Sequence, residues 1–295
     1  MGVAGVPGWA RGLSAGALAV SHAPFGLWLA ALWEAQGFVA VQSIITPFII
    51  AGLIYLRRGE LSALRSPSGF VDGRWRWGVG LSVAVAVAST AAGVPSWMAI
   101  SAPLGVWSHL RWTRRAEAVE PFAIPVALLI FLVPANYSGL WQLSLQLQVI
   151  AAQIATWSLQ WAALPAFRDG VVVVTGATCN AVTDSCSGMS TFTALFFYAL
   201  VFGFIFRLRV RETAVVVLTL LPLVLLTNGL RVALISWLLY TWGEGVANGP
   251  LHDGSGIVIY GLSFGVLLAL MRHFNARRSA QSSAKIAIQP SPTAL

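Results

Sequence analysis

The stretch "TAVVVLTLLPLVLLTNGLRVALISWLLY", residues 213–240, decides the fold class. It carries no charge until Arg231. A transmembrane helix needs about 20 predominantly apolar residues, and this run exceeds that length. Asn228, Gly229 and Arg231 interrupt it. The expectation is a helix that crosses a bilayer by residue 230 and then bends along the far surface.

The rest of the chain points to the same solvent. Of 295 residues, 57% are hydrophobic and only 9% charged, with a mean hydropathy of +0.77. Soluble domains carry about 25% charged residues. Further apolar runs lie at 13–33, 37–56, 77–94, 97–112, 119–135, 191–207 and 255–272. Arg11 ahead of the first run gives it the look of a signal peptide, but its length and the lack of a cleavage site favour an uncleaved signal-anchor helix. Residues 141–163, "WQLSLQLQVIAAQIATWSLQWAA", are rich in glutamine and read as an interfacial or re-entrant amphipathic helix. The fold class expected is an all-α polytopic membrane protein. It has about eight transmembrane helices, an interfacial amphipathic helix and a short β element before Cys186. Residues 1–275 form a single membrane-embedded domain in this reading, and 276–295 a disordered cytoplasmic tail.

The net charge of +8 does not form a basic face interleaved with aromatics, which argues against nucleic acid. Arginines cluster instead in short connections: Arg57, Arg58, Arg65, Arg74 and Arg76; Arg111, Arg114 and Arg115; Arg207, Arg209 and Arg211; Arg272, Arg277 and Arg278. Placing all of them in the cytoplasm fits eight crossings with both termini inside. The outer side then receives 136–190, the end of the seventh span with Arg231, and the 241–254 loop with His252. Cys186, Arg231 and His252 are thereby brought to one membrane face.

Cys179 and Cys186 make no disulfide framework, and His22, His109, His252 and His273 have no metal-ligand spacing. Neither metal nor cofactor is expected. "RDGVVVVT", 168–175, reads as a turn and a short strand, with a second strand near 179–183. Asp184 or Ser185 then caps a helix whose first turn holds Cys186. Unpaired N–H groups there favour an anion, and the thiolate is the nucleophilic form of cysteine. Cys186 reads equally as a small residue packed at a helix start.

Arg231 is costly among apolar neighbours. It either stabilises an oxyanion or binds a carboxylate, or it snorkels to the headgroups. Asn228 shares its helix face. His252, in "NGPLHDGSG" (248–256), is a proton shuttle or a solvent-exposed loop histidine, with Asp253 available to orient it. Cys179, Ser187 and Ser190 are the other side chains with nucleophilic chemistry, and neither serine sits in a Gly-x-Ser-x-Gly elbow. "GLSFG", 261–265, has helix-packing spacing.

"SCSGMS" (185–190), "TNGLRVALI" (227–235) and "LHDGSG" (251–256), in this order, together resemble the exosortase/archaeosortase family, multi-pass membrane cysteine enzymes. "FRDGVVVVTGATCNAV" (167–182) resembles the family's strand before the nucleophile. The likeness is specific over 165–272, the catalytic half, and general over 1–164. It implies Cys186 as nucleophile, with Arg231 and His252 as its catalytic partners and Asn228 and Ser187 of the same motifs in support, while Asp253 is a supporting residue by its place beside His252. Where the family commonly has Glu-Ala before Cys-Ser-Gly, Asp184 and Ser185 stand here, which leaves the subfamily open. The implied partners are membrane lipids, a surface acceptor and exported proteins bearing a C-terminal sorting signal of motif, transmembrane helix and basic tail. In one branch that motif is Pro-Glu-Pro. The implied reaction is cleavage at the outer face of the cytoplasmic (inner) membrane through a thioester. A transporter or a non-catalytic assembly subunit is the rival reading.

Overall fold

A computed structural model describes residues 6–36, 41–65, 72–133, 141–183, 186–247 and 250–288. The chain forms two compact units, 1–140 and 141–295. The boundary falls upstream of the 164/165 line that the resemblance draws, because the 141–161 helix packs with the sheet and helices C-terminal to it.

The first unit holds α1 (Gly8–Gln36), α2 (Val41–Leu56), α3 (Leu61–Arg65), α4 (Trp75–Ala92), α5 (Met98–Thr113), α6 (Ala116–Val119) and α7 (Ala123–Ala127). Phe25, Leu29, Leu32, Ala86, Met98 and Val133 make its core. Helices α4 and α5 pack closely through small residues, so a Cβ on Gly78 would overlap Ser108 and one on Gly105 would overlap Ser82. Two histidines are satisfied by serines here: His22 Nε2 lies 3.0 Å from Ser101 Oγ, and His109 Nδ1 3.0 Å from Ser14 Oγ.

The second unit opens with α8 (Trp141–Trp161), then β1 (Ala166–Asp169), β2 (Val172–Thr175) and β3 (Thr178–Ala181). α9 (Met189–Ile205), α10 (Val210–Trp242), α11 (Glu244–Ala247) and α12 (Pro250–Ile288) complete it. The strands form an antiparallel meander in the order β1-β2-β3, with Asp169 opposite Val172 and Thr175 opposite Thr178. Gly170 (φ 58°) and Gly176 (φ 60°) supply the left-handed backbone its tight turns need. Arg168 and Asp169, expected in a turn, are strand residues paired with β2, and a third strand joins the expected two.

Packing in this unit is organised in two clusters. Ala151, Ala152 and Ala155 of α8 meet Val173 of the sheet and Val232 and Ala233 of α10. Leu195 and Ala199 of α9 meet Val216, Leu220 and Val224 of α10 and Leu267 and Met271 of α12. Tyr198, Phe202 and Phe264 extend the second cluster with ring contacts 5.6–6.2 Å between centroids.

Several expectations need correction. Among the described residues only α1 (Gly8–Ala35), α10 and the Gly254–Arg278 part of α12 are long and apolar enough to cross a membrane, by length and composition. The count reaches four if Val41–Leu56 and Arg58–Leu64, bent by 66°, make one span. Eight crossings are therefore not supported, and an all-α polytopic membrane protein is. Helix α5, with 16 residues, and α9, with 17, reach only about 24–26 Å, against a hydrocarbon core of about 30 Å. The 119–135 run breaks into short turns at Pro121 and Pro125. α10 does not bend at residue 230: it runs unbroken for 33 residues through Asn228, Gly229 and Arg231. Helix α12 continues to Ile288, beyond the residue-276 limit where irregular chain was expected.

The α8–α10 contact depends on Gly229, whose added Cβ would lie 2.6 Å from Ile154 Cβ and Cγ2. Gly229→Ala is expected to lose about 1–3 kcal/mol of stability by overpacking. Ile154→Ala in the same chain removes Cγ2 but keeps the Cβ that lies equally close, so it is expected to recover only part of that loss. Thermal unfolding of the full chain in detergent, followed by tryptophan fluorescence, measures both.

Candidate active site

Three short segments of the second unit build the site. The first is the turn between β3 and α9. Cys186 N–H donates to Thr183 O at 2.9 Å, and the Cys186 carbonyl accepts from Asn228 Nδ2. Gly188, at φ 80°, is the residue before the first helical turn, and Ser187 Oγ accepts from Met189 N–H at 3.1 Å. Cys186 thus sits three residues before α9, outside its first turn. Asp184 and Ser185, expected to cap the helix, lie outside the described residues. Ser187, 1% exposed, takes the Met189 N–H from inside the fold. Gly188 is required: a Cβ would meet Val224 Cγ1 at 3.2 Å, on a backbone that L-residues rarely adopt.

The second segment is the C-terminal half of α10. Asn228, buried, and Arg231, half-buried, lie three residues apart on one helix face and both turn toward the Cys186 segment. The third is the first turn of α12. Pro250 starts that helix, a position suited to a residue without an N–H. His252 is therefore helical and half-buried, not an exposed loop residue. The Asp253 side chain lies outside the described residues.

The side chains converge on the sulfur. Cys186 Sγ is 4.0 Å from His252 Nε2 and 3.8 Å from Arg231 Nη1. These are long contacts, within the reach of a sulfur atom. Arg231 Nη2 donates to the His252 carbonyl at 3.2 Å, and Arg231 Nε to Ser255 Oγ at 3.1 Å. Gly256 lies beside this guanidinium, where a Cβ would stand in ordinary contact with Nη2 at 3.4 Å. Arg231 is accordingly held by the site and does not snorkel. His252 Nδ1 is buried and has no hydrogen-bond partner among the described residues, so the arrangement is a cysteine–histidine pair without an orienting carboxylate among them. Cys179 points away: it is exposed on β3, paired with Val174. No group of three or more His, Cys, Asp or Glu able to hold a metal occurs among the described residues.

Ser255 is the site residue that sequence reasoning misses. Reading the last span from 255 leaves His252 in a loop. Starting the helix at Pro250 puts Ser255 three residues after His252, on its face.

The model of the family described as transmembrane exosortase (Exosortase_EpsH) matches residues 33–269. The chain belongs to the transmembrane exosortase family. The match takes in Cys186, Arg231 and His252 and extends well into the N-terminal region, where the likeness of the sequence is only general. No curated protein and no solved structure matches this exosortase. Membership implies, in general terms, a membrane-embedded cysteine transpeptidase or protease.

Within this candidate site, the bond from Asn228 to the Cys186 carbonyl fixes the backbone of Cys186. Asn228→Ala leaves that carbonyl without its donor and is expected to cost about 1–3 kcal/mol. Thermal unfolding checks the loss, and Asn228→Gln, which keeps the amide but lengthens the arm, is expected to recover only part of it.

Proposed function

We propose that this exosortase cleaves and transfers exported polypeptides through a Cys186 thioester. The observation that carries the reading is the convergence of His252 Nε2 and Arg231 Nη1 on one sulfur, at 4.0 and 3.8 Å. His252 Nε2 takes the thiol proton, and Sγ attacks the scissile carbonyl carbon. Negative charge develops on the carbonyl oxygen, and the fixed Arg231 guanidinium stabilises it without reorganisation. Collapse of the tetrahedral intermediate breaks the C–N bond, and the imidazolium gives its proton to the leaving amine. An acceptor amine, or water, then loses a proton to His252 as it attacks the thioester, and Cys186 leaves as thiolate.

The substrate is a protein with a C-terminal sorting signal made of a motif, an apolar helix and a basic tail, as the resemblance of the three motifs implies. The site faces the outer side of the cytoplasmic (inner) membrane, with the C-terminus in the cytoplasm and, where Val41–Leu56 and Arg58–Leu64 make a fourth crossing, the N-terminus there as well. Two helices support that orientation. From Val210 to Arg231 along α10, and from His252 to Arg272 along α12, the rise is about 30 Å, one hydrocarbon thickness. At the far ends gather Arg207, Arg209, Arg211, Arg272, Arg277 and Arg278, an arginine group of the kind retained inside. Arg278 pairs with Glu212 at 3.8 Å and donates to the Arg207 carbonyl, which ties these ends together.

Replacing Cys186 with Ala is expected to abolish processing of a co-expressed sorting-signal substrate while membrane insertion remains normal. Immunoblotting for the uncleaved form, with the chain's own membrane fraction as control, measures both. Unchanged cleavage by that variant overturns the proposal.

A further inference from the structure

We propose that Ser255 is a positioning residue that sets the guanidinium plane of Arg231 against Cys186. The inference rests on the reading of Arg231 as the group that meets negative charge at the site, and extends it to the residue that aims it.

The geometry is a closed set of hydrogen bonds. Ser255 Oγ–H donates to the His252 carbonyl at 2.7 Å, one turn back on α12. The same oxygen accepts from Arg231 Nε at 3.1 Å. A hydroxyl has one proton and two lone pairs, so both bonds hold at once. Arg231 Nη2 meets the same His252 carbonyl at 3.2 Å. The guanidinium edge made by Nε and Nη2 is thus fastened to the first turn of α12 at two points. A planar guanidinium fixed along one edge has a defined direction for its remaining nitrogen, and Nη1 is the atom left facing Cys186 Sγ at 3.8 Å.

A serine bonding back to an i−3 carbonyl is common helix chemistry and serves no site by itself. The bond from Arg231 is what makes this serine different, because it joins α10 to α12 and fixes a side chain that reaches within 3.8 Å of the sulfur. Without the hydroxyl, Nε loses its acceptor and a single carbonyl contact remains, about which the guanidinium can swing. The half-buried setting makes that loss matter, since bonds to a charged group are stronger than those between neutral groups.

The test uses the full chain in detergent or nanodiscs, in a Cys179→Ser background so that only Cys186 reacts. Iodoacetamide labelling near neutral pH reports the stabilisation of negative charge on Sγ and requires no substrate. Ser255→Ala is expected to slow labelling about tenfold, the usual scale for losing a hydrogen bond to a charged group. Ala favours the helix, so the fold is retained. Ser255→Thr keeps the hydroxyl and is expected to label within about twofold of the parent. In an Arg231→Lys chain, Ser255→Ala is expected to add no further loss, because the residue through which it acts has already gone. Parent-like labelling of Ser255→Ala, equal slowing by Ala and Thr, or independent multiplication with Arg231→Lys each overturns the proposal. Since no cleavage is measured, these outcomes stand apart from the Cys186→Ala test of the transpeptidase itself.

Discussion

A guanidinium on an apolar helix is the constraint around which the second unit is organised. Arg231 sits in α10 between Leu230 and Val232, and a charge at such a position costs about 2.5–3.5 kcal/mol on insertion scales. That cost is met by acceptors brought to it: the His252 carbonyl, Ser255 Oγ and Cys186 Sγ. Each acceptor lies on another segment. Satisfying the arginine therefore sets the start of α12 and the turn before α9 against one stretch of α10. Burying a charge is weak evidence for stability. Its worth here is in specifying which atoms face one another.

The remaining packing serves that arrangement. Gly229 permits α8 to lie against α10, and Gly188 permits the Cys186 turn to reach Asn228. Asn180 of β3 donates to Ser236 of α10 at 2.9 Å, so the strand leading to Cys186 is tied to the helix that carries the arginine. Toward the opposite end, leucine, valine and aromatic contacts join α9, α10 and α12. Orientation comes from the polar end and cohesion from the apolar one.

Cys186, Arg231 and His252 are legible in the sequence because their chemistry is rare in an apolar chain; each stands out against its neighbours before any contact is known. Asn228 can be tied to Arg231 by helical spacing alone. Ser255 and Gly188 cannot be found in that way. Serine and glycine occur throughout the sequence, and their meaning here lies in a hydroxyl shared between two helices and a backbone angle of φ 80°. The β element is legible from its valines and its Asp-Gly turn, while β1 is missed because Arg168 and Asp169, polar and next to Gly170, read as the turn itself. Span counting fails for a physical reason. Apolar composition marks what avoids water, yet it does not separate a crossing helix from a short one such as α5, or from a segment broken by Pro121 and Pro125.

Expecting α10 to bend at residue 230 comes from treating Arg231 as a boundary residue, one that ends a span by reaching water. The continuous helix reverses that argument. Arg231 keeps helical geometry because its hydrogen bonds are met inside the fold, and the helix goes on for eleven more residues to Trp242. A polar residue within an apolar run can thus mark either the end of a crossing or the place where another segment docks. The deciding quantity is the supply of acceptors nearby in space. Here the first turn of α12 supplies them, and the same turn carries the histidine that faces the thiol.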